Sequence, residues 1–418
     1  MDNVNANVVQ NGVGAPWFHR TDIDVLKSCF IVVCFFLIIW GPVGLGGFVI
    51  IVGEHIPHEV LKLSVYLLLS SSVVDPIIYA IMITTKMSQT TSQDRVTRSR
   101  AEISLEVTFA ILVCLTSVIG NVLVVYVVNK YSEMQTITNI LIHNLALTDI
   151  IMATLNMPFW ITSVCLGKWN LSQEWCKVSA SAQLTMVLSS LFIMGLIALN
   201  RYLKVVKRSL YIKFFPSKRV AWLYCGLVWL VSVLFATPPL YGWGKMKFDS
   251  DFFVCTFNWK QGHVSFVIVL LGFFYVTMFA TFYTYWKIYQ TVKESTDNVH
   301  ANVVQNGVGA PKFHRTDIHV LKSSLTVVCF FLITWIPKAL CSFIIIGGGH
   351  IPREVTKVSA YLLFSSSVVN PIIYGIMNPQ FKKAFKKAFS CGRYGNGNED
   401  PSHARVVAVM IHPRSNKT

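Results

Sequence analysis

Apolar runs long enough to cross a lipid bilayer recur along most of this chain. A transmembrane helix needs about 20 apolar residues to span roughly 30 Å of hydrocarbon. Nine such runs occur, at residues 28–53, 63–83, 107–129, 138–165, 177–200, 220–241, 264–286, 323–346 and 358–377. Only 13% of the residues are charged, and the mean hydropathy is +0.53. We therefore predict an all-α, polytopic membrane protein with nine spans.

The first two of these spans lie in a near copy of the last two. Residues 2–82 match residues 297–377 without gaps at roughly three positions in four. Both copies carry a Trp-x-Pro sequence, beginning at Trp40 and at Trp335. Two copies separated by about two hundred unlike residues are not the stacked neighbours of a solenoid. The repeat indicates a duplicated two-helix hairpin that precedes its parent bundle in the chain.

The chain divides into five predicted segments. These are an extra transmembrane hairpin at 1–86, a linker at 87–103, a seven-span core at 104–377, an amphipathic helix at 378–391 and a tail at 392–418. In the fourth segment, Phe381, Phe385 and Phe389 recur every four residues with lysines between them. This spacing is typical of a helix that lies on the inner leaflet and contacts membrane lipid. Cys391 beside it is a predicted palmitoylation site.

The formal net charge of +16 reflects loops rather than a nucleic-acid surface. Basic residues crowd the loop from Lys204 to Arg219 and follow the last span from Lys382 onward. The positive-inside rule places both segments, and the C terminus, in the cytoplasm. Cys176 and Cys255 then face the oxidising exterior, which would let them pair. The sequon at Asn170 lies on the same face and predicts glycosylation.

Several motifs follow one another in a fixed order from about residue 104. They are Gly120-Asn121-Val122, Asn144 to Asp149, Cys176, Asn200-Arg201-Tyr202, Trp229, Cys255, Phe331 to Pro337, and Asn370-Pro371 to Tyr374. This order resembles the rhodopsin-like G-protein-coupled receptors, close to their melatonin- and opsin-like members, over roughly 290 of the 418 residues. The resemblance implies a seven-helix receptor of the plasma membrane that signals to a heterotrimeric G protein. Arrestin and a receptor kinase are further implied partners.

The resemblance also assigns the residues of a conformational switch. They are Asn200, Arg201, Tyr202, Tyr285, Asp317, Phe331, Trp335, Pro337, Asn370, Pro371 and Tyr374. The two prolines each remove a backbone hydrogen bond and kink their helices, which favours a two-state hinge. Thr277 stands where the family usually has another kinking proline.

Asn200 departs from the family, because most relatives carry an acid there that pairs with the following arginine. Loss of that ion pair predicts raised basal activity, although Asp317 could still reach Arg201. Alternatively, Asn200 hydrogen-bonds Arg201 with no effect on signalling.

Asp149 is an ionisable group at membrane depth, and such groups are costly and usually functional. Four polar side chains could turn toward it: Asn121, Ser190, Ser366 and Asn370. The resemblance implies that this cluster holds a sodium ion. The alternative is a hydrogen-bonded lock between helices with no ion.

The predicted ligand pocket contains Gln183, Trp335, Lys338 and Phe364. Gln183 stands where amine receptors have an aspartate, and Phe364 where opsins have the retinal lysine, so neither an amine nor retinal is expected. Lys338 is buried too deeply to reach the surface easily, and a buried lysine needs an anion or a lowered pKa. It is either the counter-ion of a carboxylate or phosphate on a small-molecule or peptide ligand, or it pairs with a carbonyl, Gln183 or Glu354.

The orientation of the extra hairpin follows from parity. The first helix of the bundle must begin outside, so two preceding spans place the N terminus outside and invert the hairpin relative to its copy. Arg95, Arg98 and Arg100 in the linker would prefer the cytoplasm, which opposes inversion. The alternative is that one segment does not span. The hairpin either modulates the receptor or is a passive leftover of duplication.

Two other classes of protein fit the sequence less well than a signalling receptor. A decoy would keep the fold without signalling, but the intact Arg201, Tyr285 and Tyr374 oppose this. A transporter with an inverted repeat is disfavoured because only two helices repeat. The sequence has no phosphate-binding glycine loop, metal cluster or catalytic triad, so no enzyme is expected.

Overall fold

The computed structural model describes residues 98–258, 264–306, 315–346 and 351–390. The predicted spans at 28–53 and 63–83 lie outside the described residues, as do most of the linker and the tail from residue 391.

Long helices dominate the described part of the chain. They are α1 (Arg100–Lys130), α2 (Ile137–Ile151), α3 (Met157–Leu166), α4 (Gln173–Val205), α5 (Arg208–Phe214), α6 (Lys218–Ala236), α7 (Val264–Asn306), α8 (Arg315–Ile346), α9 (Arg353–Met377) and α10 (Pro379–Ser390). Several begin at a Ser or Thr whose hydroxyl accepts a backbone N–H of the first turn, as Ser99 does for α1 and Ser172 for α4. Such caps satisfy N–H groups that would otherwise lack partners.

Six segments of the described chain are long and apolar enough to cross a membrane. They contain α1, α2 with α3, α4, α6, α8 and α9. Helix α7 packs lengthwise against α4 and is the remaining long helix of the bundle. The spans predicted from residue 107 onward therefore all coincide with helices, and α1 begins at Arg100, inside the predicted linker.

Helices α2 and α3 form one span that is interrupted by a π-helical turn at Met152–Asn156. Pro158 lies in the first turn of α3 and cannot donate a backbone hydrogen bond to the preceding turn. The wider π turn accommodates that proline without ending the span. Asp149 lies three residues before the start of this irregular turn.

A two-stranded antiparallel sheet lies at one end of the bundle. Strand β1 (Met246–Asp249) pairs with β2 (Val254–Phe257). Cys255 in β2 forms a disulfide with Cys176 at the start of α4, with 5.3 Å between the Cα atoms. The predicted disulfide is confirmed. We call the end of the bundle that carries the sheet and this disulfide the disulfide end. The prediction of a purely helical chain missed the sheet, because four-residue strands carry too little alternation to be recognised.

Two glycines mark close helix contacts. A Cβ atom on Gly120 of α1 would lie 3.0 Å from the ring of Pro371 in α9. A Cβ atom on Gly195 of α4 would lie 3.0 Å from the methyl carbon of Thr277 in α7. The threonine that replaces the usual proline thus packs directly against α4. Small residues at such positions let helices approach closely in a membrane.

Candidate signalling site

Asp149 joins α2 to α9 deep inside the bundle. Its carboxylate oxygen Oδ2 accepts a hydrogen bond of 2.8 Å from Nδ2 of Asn370, and the side chain is buried. Asn370 directly precedes Pro371, which lies inside α9. The hydrogen bond therefore ties the middle of α2 to the kinked part of α9.

A cavity of about 30 Å³ adjoins this hydrogen bond. Polar groups on its wall come from three helices and are contributed by Asp149, Ser190, Ser366, Ser367 and Asn370. The rings of Phe331 and Trp335 also line it and stack on each other with centroids 5.1 Å apart. Because a single water needs roughly 10–15 Å³ of such space, the cavity has room for a small ion or about two waters.

Three of the four side chains predicted around Asp149 line this cavity, and the fourth does not. Asn121 instead donates through Nδ2 to the carbonyl oxygens of Ser117 and Ser367, each at 2.9 Å. Its role in the structure is to tie α1 to α9. Ser367, which the sequence reasoning did not select, takes its place on the cavity wall.

The oxygen atoms around the cavity fit a small hard cation. One carboxylate and several hydroxyl groups supply the oxygen ligands that such ions prefer. The hydroxyl of Ser190 lies 2.8 Å from that of Thr148, and Ser366 donates to the Leu363 carbonyl at 2.7 Å. Each serine oxygen retains a lone pair that an ion can use.

Asn200 and Arg201 are both buried near the end of the bundle opposite the disulfide. Asn200 accepts a hydrogen bond of 3.0 Å through Oδ1 from the hydroxyl of Thr138 in α2. Its Nδ2 atom has no hydrogen-bond partner within the described residues. Asn200 therefore links α4 to α2 rather than neutralising or holding Arg201. The side chain of Asp317 lies outside the described part of α8.

The two switch tyrosines are buried in the same half of the bundle. Tyr285 of α7 and Tyr374 of α9 both belong to the inner hydrophobic cluster. Tyr374 stacks on Phe381 of α10 with ring centroids 5.4 Å apart. Movement of Tyr374 would therefore be transmitted to α10 through this ring contact. Tyr202 is half-buried and lies near Tyr283.

Of the residues predicted for the ligand pocket, Phe364 and Lys338 contact side chains at the disulfide end, whereas Trp335 lines the cavity beside Asp149. Phe364 stacks on Trp160 with centroids 4.2 Å apart, and Gln183 is half-buried in α4. The ammonium of Lys338 lies over the ring of Phe252, from the loop between β1 and β2. Glu354, one of its predicted partners, pairs instead with Lys357. Asn170 is exposed near the same end, where a glycan has room.

A group of charged residues around the buried Lys357 at the disulfide end was not predicted from the sequence. Lys357 of α9 is only 3% exposed. Its Nζ atom lies 2.8 Å from Glu102 and 3.1 Å from Glu106, both on α1. Arg98 pairs with Glu106 and donates to the Val164 carbonyl at 2.7 Å. We call these four charged residues the outer cluster. Two glutamates one helical turn apart beside an apolar run were the available signal.

This geometry defines a class of protein. The bundle has a polar cavity at its centre, a buried arginine at one end and a disulfide-linked sheet at the other. The family described as 7 transmembrane receptor (rhodopsin family) matches residues 120–374. The protein belongs to this family, and it is a multi-pass G-protein-coupled receptor of the plasma membrane rather than an enzyme.

Individual relatives fall into several branches of that family. The chain is 26% identical to human "Visual pigment-like receptor peropsin" over 313 residues, covering 73% of this chain and 90% of the relative. It is 29% identical to human "Neuropeptide Y receptor type 2", covering 67% and 74%. It is 27% identical to mouse "Melatonin receptor type 1A", covering 66% and 78%. Squid rhodopsin has the same fold, with a TM-score of 0.61 and 23% identity, covering 77% of this chain and 95% of the squid protein.

Proposed function

We propose that an extracellular ligand drives this receptor through rearrangement of the Asp149–Asn370 contact. The single observation that carries the proposal is the 2.8 Å hydrogen bond joining α2 to the proline-containing turn of α9. A ligand that binds one helix arrangement more tightly shifts the population toward it. Arg201, Tyr285 and Tyr374 then open the opposite end to a heterotrimeric G protein.

Nucleotide exchange on purified heterotrimers tests this proposal. The receptor is reconstituted in lipid nanodiscs and offered each class of heterotrimer in turn. Exchange that is faster than in empty nanodiscs, and that Arg201→Ala abolishes, is the expected result. Absence of stimulation with every heterotrimer, with and without candidate agonists, would refute the proposal.

The cavity beside Asp149 is proposed to bind a sodium ion through Asp149, Ser190 and Ser366. A bound cation supplies positive charge that holds the carboxylate between α2, α4 and α9. Sodium chloride should raise the thermal midpoint of the wild type above that in choline chloride at equal ionic strength, since binding to the folded state stabilises it. Asp149→Asn should remove the difference, whereas Asn121→Ala should keep it.

The pocket at the disulfide end is proposed to bind a small-molecule or peptide ligand that carries an anionic group. Lys338 is the counter-ion, and Trp335, Phe364 and Gln183 form the adjoining walls. The half-buried position of Lys338, with its ammonium over the ring of Phe252, supports this assignment, because a partly desolvated ammonium favours a nearby anion. Lys338→Gln should lower the potency of an anionic agonist at least tenfold and leave a neutral agonist unchanged.

Residues 1–86 are proposed to form an additional, inverted pair of spans that gives nine in total. The position of Arg98 supports this, because its contacts with Glu106 and Val164 lie at the disulfide end, so its charge no longer opposes inversion. The N terminus is then extracellular. An epitope tag before residue 2 should be stained on intact cells, and staining only after permeabilisation would overturn the inverted arrangement.

The same hairpin is proposed to modulate the receptor that it precedes. Deletion of residues 1–86 should change basal nucleotide exchange or surface expression. No change in either would favour a passive leftover of duplication.

The cytoplasmic partners are proposed from family membership and from α10. Lys387 of α10 lies over the ring of Tyr131 and near Glu133, so α10 is tied to the first cytoplasmic turn. We propose that its lysines contact anionic lipid and that Cys391 is palmitoylated. On the outer face, Asn170 is proposed to be glycosylated. Arrestin and a receptor kinase are proposed to act on this cytoplasmic surface.

A further inference from the structure

The turn between β1 and β2 has a defined conformation that hydrogen bonds stabilise. Asp249 accepts backbone N–H groups of Asp251 and Phe252 through its Oδ1 atom, at 3.0 and 3.3 Å. Phe253 has a φ of 55°, a left-handed conformation that bulky residues rarely adopt. Residues 250–253 are called the hairpin tip. Such a conformation persists only where the surroundings hold it.

Within the hairpin tip, Phe252 lies inside the pocket, whereas Ser250 and Asp251 are exposed. Phe252 is only 2% exposed although it belongs to a loop. It packs in the same apolar cluster as Trp160, Met186 and Phe364, and its ring covers the ammonium of Lys338. Two of these residues, Lys338 and Phe364, are ones that the sequence had assigned to the ligand pocket.

A carboxylate accompanies this aromatic ring. Asp251 precedes Phe252, and its exposed carboxylate oxygen Oδ1 lies 4.0 Å from Nε of Arg353. Lys338 is attracted electrostatically by Asp249 first and by Asp251 less strongly. The hairpin tip therefore presents the Phe252 ring to the pocket lysine, while the neighbouring Asp251 carboxylate is exposed beside Arg353.

Phe253 anchors the other side of the hairpin tip. The guanidinium of Arg98 lies 4.6 Å from its ring centroid, and that of Arg353 lies 5.5 Å away. Cation–π contacts of this kind are weak enough to break and re-form. The anchor is noncovalent, so the hairpin tip can leave the pocket while the disulfide keeps β2 attached to α4.

We propose that the ring of Phe252 is an internal mimic of part of the ligand, and that the ligand is an acid with an aromatic ring a few bonds from its carboxylate. This rests on the proposed anion site at Lys338. The ligand displaces the hairpin tip, placing its carboxylate at Lys338 and its ring where Phe252 lies. A free aromatic acid and a peptide with a C-terminal Phe both have this chemistry.

The probe is 3-phenylpropionate, titrated against the thermal midpoint of the full-length receptor in nanodiscs. If the hairpin tip occupies the site most of the time, the apparent affinity falls by the free fraction. Phe252→Ala should therefore bind the probe about tenfold more tightly than the wild type. Phe248→Ala is the matched control, because it truncates the same kind of side chain in β1, beside Trp169. Equal affinity in Phe252→Ala and Phe248→Ala would overturn the inference.

Further ligands separate this inference from the proposals on which it rests. With Phe252→Ala, 3-phenylpropionamide should fail to stabilise, and addition of Lys338→Gln should abolish stabilisation by the acid. Acetate lacks an aromatic ring. If acetate stabilised the receptor as well as 3-phenylpropionate does, and if this effect required Lys338, the anion site would be supported but the aromatic mimic would be overturned. A peptide ending in free Phe that outperforms 3-phenylpropionate would identify the ligand as a peptide. Phe252→Leu serves as a milder variant if Phe252→Ala does not fold. Because this test measures ligand binding and not nucleotide exchange, its result is independent of the test of G-protein signalling.

Discussion

Lys357 and Glu102 form an ion pair of 2.8 Å that closes the disulfide end of the bundle between α9 and α1. Glu106 shares the same lysine. Removing one partner of a buried pair leaves the other charge uncompensated, which costs roughly 3–5 kcal/mol. Glu102 is more than one-third exposed, so Lys357→Gln should cost somewhat less, about 2–3 kcal/mol. The change should appear as a lower thermal midpoint of the purified receptor.

Lys177→Gln is the matched control for that substitution. Lys177 pairs with Glu174 at 2.7 Å, but both side chains are substantially exposed. Exposed pairs contribute about 0–1 kcal/mol. A loss of stability in Lys177→Gln as large as that in Lys357→Gln would show that burial of the outer cluster is not what stabilises it.

Gly120→Ala should separate α1 from α9. The added Cβ atom would lie 3.0 Å from two carbons of the Pro371 ring, closer than ordinary van der Waals contact. Overpacking of this kind costs typically about 1–3 kcal/mol. Gly226→Ala in α6 is the control, since nothing lies within 4 Å of its added Cβ, and alanine favours the helix there. The thermal midpoint should fall for the first variant and stay or rise for the second.

Much of the bundle was predictable because its signals are local. Within the described part of the chain, apolar runs of about 20 residues correctly located the long helices, and two cysteines on one side of the membrane correctly suggested a disulfide. The position of Asn121 was not predictable, because whether it faces Asp149 or Ser367 depends on how α1 is rotated against its neighbours. That rotation is set by packing, including the Gly120–Pro371 contact, and no short stretch of sequence encodes it.

The hairpin tip and the outer cluster were missed for the same reason. Phe252 looks like an ordinary loop residue in the sequence, and only the disulfide together with the pairing of β1 and β2 carries it into the pocket. In the sequence, Lys357 is a single polar residue near the start of a predicted span. Its partner Glu102 on α1 is 255 residues away in the chain. Contacts between residues far apart in the chain therefore could not be predicted from patterns among neighbouring residues.

Asp251→Asn should stabilise the receptor at neutral pH. Partial burial, and next the nearby Asp249, raise the pKa of the Asp251 carboxyl, although Arg353 and Lys338 oppose the shift. A carboxyl whose pKa is higher in the folded state than in the unfolded state binds its proton more tightly when folded. The folded protein therefore gains stability from this group as the pH falls, and is penalised by it above the raised pKa. Asparagine resembles the protonated form and removes the penalty.

The measurement is the difference in thermal midpoint between Asp251→Asn and the wild type as a function of pH. The difference should be positive at pH 7 and shrink as the pH falls through the raised pKa. Glu174→Gln provides a control at an exposed carboxyl on the same end of the bundle. A difference that grows on acidification would show that the ion pairs with Arg353 and Lys338 outweigh burial.

Asn200→Asp should lower signalling in the absence of ligand. An aspartate can still accept the hydrogen bond from Thr138, now 3.0 Å from Asn200, and it adds a negative charge beside the buried Arg201. A charge-assisted pair there stabilises the inactive packing, and roughly 1 kcal/mol of added preference reduces the active population about fivefold. The ligand-free rate of nucleotide exchange in nanodiscs measures this population. Thr138→Val removes the hydrogen bond without adding charge, so it should not reproduce the decrease. Equal ligand-free rates for Asn200→Asp and the wild type would show that Asn200 does not set the basal activity, and that Arg201 is restrained from elsewhere in the bundle.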